Sequence, residues 1–139
     1  MPTLVHFELP ADDIERAKKF YTNLFGWNIE KEGLANNMEY WTINTTDDKG
    51  NKGVDGGIKK RMHQGQHITN YVDVKSVDEY SLKIEILGGK IIVPKTPVLG
   101  AGYFATCLDT EANNFVIYEE NTNAKKRNSE LETSKIIIS

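Results

Sequence analysis

With 139 residues the chain has the length of one domain, enough to bury a core without disulfide or metal staples. Hydrophobic residues make up 39% and charged residues 27%, the balance of a soluble globular protein, and a net charge of -3 gives no electrostatic reason to expect nucleic acid or an anionic membrane as partner. Cys107 is the only cysteine, which excludes an intramolecular disulfide.

The elements follow from hydrophobic period and punctuation. Leu4–Leu9 predicts a strand ended by Pro10. Asp12 with Glu15 three residues on makes a capping-box-like helix start, and Ile14, Ala17, Tyr21, Leu24 and Phe25 share one helical face. Gly26 supplies the stop. Trp27–Lys31, Met38–Thr45 and Val54–Lys60 predict three strands, with a polar turn over Thr46–Lys52. After the polar stretch Arg61–Gln66 the order recurs. Ile68–Val74 predicts a strand, and Ser76 with Glu79 a cap. Val77, Tyr80, Ile84 and Leu87 then form a helical face. Lys90–Val93, Tyr103–Leu108 and Phe115–Glu119 predict three more strands. Pro94–Gly102, with two prolines and two glycines, is expected as a loop that could wall a binding site. Cys107, in YFATCLD, reads as a buried small hydrophobe. Residues 121–139 are polar and aperiodic, a tail whose last Ile136–Ile138 are β-branched. The opening MPTLVHFELP lacks a basic region followed by an apolar core, and no stretch is long enough to span a membrane, so a cytoplasmic location is expected.

The second half copies the first at an offset of 63 residues: Ile14 aligns with Val77, Ala17 with Tyr80, Tyr21 with Ile84, Leu24 with Leu87, and Gly26 with Gly89. On that register His6 aligns with Thr69. The fold class expected is α+β: two βαβββ modules in one chain, about residues 3–60 and 67–120, forming a curved mixed sheet (an incomplete barrel) around a cleft.

These modules, with LVHFELPADDIERAKKFYTNLFGW, GVDGGI, the VPKTP loop and LDTEANNFVIYEE, resemble the vicinal oxygen chelate superfamily, the glyoxalase, bleomycin-resistance and extradiol-dioxygenase group. The resemblance covers roughly residues 3–120. LDTEANNF is similar to the family's D-P-x-G-N turn, with Thr110 in place of its proline and Ala112 in place of its glycine. Metal-dependent members draw four ligands from the first, fourth, fifth and eighth strands. Carried over, those positions fall on His6, near Gly56 or Gly57, on Thr69 and near Val116, so only His6 is retained. His67 lies about 7 Å along the strand from Thr69 by strand rise; Asp55 and Glu119 fall on opposite faces from the ligand positions they neighbour. No cofactor is expected, with a divalent metal as the alternative.

Strand alternation puts Glu8 with His6, and Tyr71 with Thr69. In the third strand either Tyr40 and Thr42, or Glu39, Trp41 and Ile43, share the binding face. The candidate ligand-binding residues are therefore His6, Glu8, Tyr40, Thr42, Gly57, Thr69, Tyr71, Val116 and Tyr118, with His6 and Glu8 a candidate acid–base pair. Gly56 and Gly57 are read as letting a ligand or another sheet approach the backbone. The resemblance implies metal-independent binding of a small organic molecule, in an assembly that is a homodimer. The alternatives are a divalent-metal lyase, isomerase or dioxygenase, and a non-catalytic assembly partner.

Overall fold

A computed structural model describes residues 1–35 and 38–121. The tail segment with Ile136–Ile138 lies outside the described residues. The chain is α+β, and its elements run β1 (Thr3–Ala11), α1 (Ile14–Phe25), β2 (Asn28–Ala35), β3 (Met38–Asn44), β4 (Asp55–Lys60), β5 (Thr69–Asp73), α2 (Val77–Ile86), β6 (Lys90–Val98), β7 (Gly102–Leu108) and β8 (Asn114–Glu120). This is βαβββ twice over, as the repeat implied. Two compact units result. One is His6–Ile68; the other joins Met1–Val5 to Thr69 and the described residues after it.

In the first unit β2, β3 and β4 form antiparallel pairs, and β1 runs parallel to β4. Alternation along each strand sends Leu9, Ala11, Ile29, Trp41, Ile43 and Ile58 to one face, where they pack with Ile14 of α1. Ala17, Tyr21, Trp27 and Phe7 close that core. Ile43 and Ile58 are fully buried, each contributing about 1.5–3 kcal/mol. Leu24 and Phe25, read from the period as part of this face, are both more than half exposed. Phe25 instead lies against Tyr21 and Trp27 in an aromatic cluster.

The second unit repeats the topology. β6–β7 and β7–β8 are antiparallel, and β5 runs parallel to β8. Val74, Val77, Ala105, Cys107 and Ile117 form its core, with Tyr80 and Ile84 of α2 against it. Leu87, aligned with the apolar face, is exposed.

Several boundaries differ from expectation. β1 continues through Pro10 to Ala11, and the Pro10 carbonyl accepts from Arg61. The cap of α1 is Asp13, whose side chain accepts from the Arg16 amide at 3.0 Å, while Asp12 pairs with Arg61. The α2 cap is Ser76, as read. α2 closes in a Schellman turn, Gly89 N–H to Ile84 O and Gly88 N–H to Glu85 O, so the left-handed residue is Gly88 at φ 99 rather than the aligned Gly89. The expected Pro94–Gly102 loop is mostly strand. β6 runs through both prolines to Val98 with two register irregularities, which an edge pairing with β7 alone tolerates.

Candidate functional site

In the first unit, the sheet face opposite the apolar core carries an unusual set of side chains. The core claims Trp41 and Ile43 on β3, which turns Tyr40 and Thr42 to the other face. Leu9 on β1 likewise leaves His6 and Glu8 there, and Ile58 on β4 leaves Gly57 and Lys59. Register then brings them together. Glu8 is opposite Gly57 across β1–β4, and Thr42 is opposite Gly57 across β3–β4.

Glu8, Tyr40 and Lys59 are all buried, with Glu8 and Lys59 each 4% exposed. The Tyr40 hydroxyl donates to Glu8 Oε2 at 2.9 Å. Lys59 Nζ is 3.4 Å from Glu8 Oε1. His6, half-buried, places Nε2 3.2 Å from the Tyr40 hydroxyl and 3.5 Å from Glu8 Oε2. One carboxylate thus gathers an ammonium, a phenol and an imidazole from three strands.

Burial alone would raise the Glu8 carboxyl. The His6 hydrogen bond, the Lys59 ammonium and the Tyr40 hydroxyl outweigh it and hold Glu8 below its ordinary value. Tyr40 moves the opposite way. Burial, then the Glu8 charge and hydrogen bond, push its hydroxyl far above the ordinary phenol range, so it stays a donor.

The space beside Gly57 is taken by a side chain of its own unit. The Tyr40 hydroxyl lies in the space a Cβ at position 57 would need, and the Phe7 ring fills the space at Gly56. Thr42 contacts its own hairpin, donating to the Glu30 carbonyl.

The other candidates lie in the second unit. Thr69 is buried and accepts from Asn114 Nδ2 at 2.8 Å. Tyr71 and Val116 are buried partners across the parallel β5–β8 pair, and Tyr118 is partly buried opposite Asp73. Burial, then Glu120 and Asp73, raise the Tyr118 hydroxyl.

Lys59 was not foreseen from the sequence. Its signal was the pair Lys59–Lys60 at the end of a strand pinned by Ile58, since alternation must send one lysine to the face of Gly57.

A metal fits these residues poorly. Among the described residues no group of three or more His, Cys, Asp or Glu side chains could hold an ion. His6 and Glu8 are suitable donor types, but the Lys59 ammonium already sits on the carboxylate and Gly57 has no donor atom.

Residues 3–38 match the profile of the bleomycin resistance protein-like N-terminal family. No curated protein matches the sequence. Among solved structures, a hypothetical protein, BH1468 from Bacillus halodurans, superposes with a TM-score of 0.63 at 14% identity, covering 90% of this chain and 99% of its own. Methylmalonyl-CoA epimerase from Mycobacterium tuberculosis gives a TM-score of 0.60 at 10% identity, covering 85% and 87%. A Streptomyces coelicolor methylmalonyl-CoA epimerase variant in complex with 2-nitronate-propionyl-CoA gives 0.61 at 11%, covering 90% and 98%. The chain has the fold of the vicinal oxygen chelate superfamily, the glyoxalase and bleomycin-resistance group, and its opening strand and helix match the bleomycin-resistance profile.

Proposed function

We propose that the chain binds a small organic molecule, without a metal, at the sheet face carrying His6, Thr42 and the Tyr40–Glu8–Lys59 cluster. The observation that carries this is the burial of Glu8 and Lys59 as an ion pair outside the apolar core. Such a pair gains little stability over apolar residues of the same volume. Here it supports a half-exposed imidazole through a tyrosine, which is how a few convergent polar groups orient a ligand. Assembly as a homodimer is proposed alongside, supported by the exposed apolar residues Phe20, Leu24 and Phe25 on α1.

A second reading is proton transfer. An imidazole Nε2 held 3.5 Å from a carboxylate is suited to acid–base work, and the epimerases that share the fold make C–H acids a class worth including among test compounds.

The test is a thermal-shift screen of organic acids, aromatic compounds and acyl thioesters against wild type and His6→Ala. A compound that binds the folded state raises stability by RT ln(1 + [L]/Kd), several degrees for a chain of this size at a hundredfold excess over Kd. Loss of that shift in His6→Ala supports the site. No shift with any compound, or a shift that His6→Ala leaves intact, overturns it.

A further inference from the structure

We propose that a cavity on the α1 side of the first unit binds a small organic acid, with its carboxylate at Arg16 and its apolar body against Ala17, Phe20 and Ile68. The cavity measures about 620 Å³, within the size class of small-ligand sites, roughly 300–1,000 Å³. Leu9 and Ala11, which turn to the core face of β1, form part of its wall. It therefore lies across the sheet from His6 and Glu8.

The end of β1 makes one side, and α1 makes the second with Arg16, Ala17, Phe20 and Tyr21. Gln66, His67 and Ile68, in the connection after β4, close the third. That connection is fastened in place. The Arg61 amide donates to the Ala11 carbonyl at 2.9 Å, and Arg61 Nη1 donates to the Gln66 carbonyl at 2.7 Å. The Met62 amide donates to Gln66 Oε1 at 2.7 Å. The wall is thus formed in advance, which spares a ligand the cost of ordering it.

The ligand class follows from which polar groups are already engaged. Asp12 Oδ1 accepts from Arg61 Nε at 3.0 Å, so those two charges answer one another. Asp13 Oδ1 accepts from the Arg16 amide, and its charge sits at the positive end of α1. What remains on the cavity wall is a set of donors. Among the described residues none pairs with the Arg16 guanidinium, the Gln66 side-chain amide or the His67 ring. The cavity therefore suits an acceptor. The fixed charge and planar fork of Arg16 favour a carboxylate over a neutral acceptor. Phe20, set edge-on to Tyr21 with ring centroids 5.1 Å apart, and Ile68 are both more than half exposed. These two side chains suit a hydrocarbon body rather than a bare inorganic ion.

The test is a ¹H–¹⁵N NMR titration of the full chain with phenylacetate, and with phenylacetamide as its uncharged counterpart. Saturable shifts are expected at the amides of Ala17, Phe20, Gln66, His67 and Ile68, with those of Tyr40 and Thr42 unmoved. Because shifts are read residue by residue, the outcome stands apart from that of the screen at His6. Wild type should bind the acid at least about threefold more tightly than the amide, the scale of an exposed ion pair. Arg16→Gln keeps the backbone amide that Asp13 caps and should abolish that preference. No saturable shift at millimolar probe, shifts confined to Tyr40 and Thr42, equal affinity for acid and amide in wild type, or an acid preference that persists in Arg16→Gln overturns the proposal.

Discussion

The Tyr40 hydroxyl lies where a Cβ at Gly57 would stand, so the bond from β3 to Glu8 on β1 crosses β4 at a position without a side chain. Gly57→Ala must push the tyrosine aside, and it breaks the Tyr40–Glu8 bond as well as straining the packing. The expected cost is about 1–3 kcal/mol, read as a lower urea midpoint. In a Tyr40→Ala background the same change should cost at least about 1 kcal/mol less, because the obstacle is gone. Equal costs in both backgrounds would show that position 57 does not depend on Tyr40.

Glu8 and Lys59 give a prediction with a defined sign. Glu8→Gln leaves the Lys59 ammonium buried without its carboxylate and should lose about 3–5 kcal/mol, while Lys59→Met, which leaves Glu8 its Tyr40 bond, should lose less. Glu8→Leu with Lys59→Met should be far closer to wild type. Because Glu8 is held below its ordinary 4.5 in the folded chain, the unfolded state binds more protons near that pH. The stability it contributes is fully present above about 4.5 and is lost as pH falls through the folded value. Urea unfolding from pH 6 to pH 3 should show that loss in wild type and a shallower one in the double variant.

The module pattern was legible because it rests on periods that the chain states twice. Ile14, Ala17 and Tyr21 share one helical face, and Val77, Tyr80 and Ile84 repeat it 63 residues on. The site was legible in part. Alternation alone placed His6 with Glu8, but whether Tyr40 or Trp41 joined them required the register of β3 against β4 and a core to claim Trp41. The role of Gly57 was misread because a glycine shows that something comes close without saying what. Pro94 and Pro97 suggested a loop because proline forbids a ladder donor, a restriction that an edge strand such as β6 evades.

The α1 cap separates two neighbouring aspartates. Asp13→Ala removes the acceptor of the Arg16 amide and should cost about 1 kcal/mol. Asp12→Ala loses only an exposed pair with Arg61, worth less than about 1 kcal/mol. Thermal melts of the two variants in parallel should rank Asp13→Ala as the less stable. The reverse ranking would return the cap to Asp12.

Cys107 sits fully buried in the second core, and burial pushes its thiol up to about 11. At pH 8 only about one thiol in a thousand is then ionised, and the thiolate is the reactive form. Native protein should react with a disulfide reagent orders of magnitude more slowly than protein in urea. Rapid modification of the native chain would place Cys107 outside the core.

The internal repeat extends into a turn that the helix alignment did not reach. Asp47 accepts from the amides of Lys49 and Asn51 and from Asn51 Nδ2; Asp109 does the same for Glu111, Asn113 and Asn113 Nδ2. The left-handed residue inside the first turn is Gly50, at φ 84. Its counterpart is Ala112, at φ 64, standing where the family's turn has glycine. An L residue there costs about 1–2 kcal/mol that glycine avoids, partly offset by glycine's extra freedom when unfolded. Ala112→Gly should therefore stabilise the chain by roughly 0.5–1 kcal/mol, and Gly50→Ala should destabilise it by a similar amount. Opposite shifts in urea midpoint would show that the two turns are one motif, differing in the residue that fills its strained position. A destabilised Ala112→Gly would mean that the alanine methyl makes contacts outweighing its backbone strain.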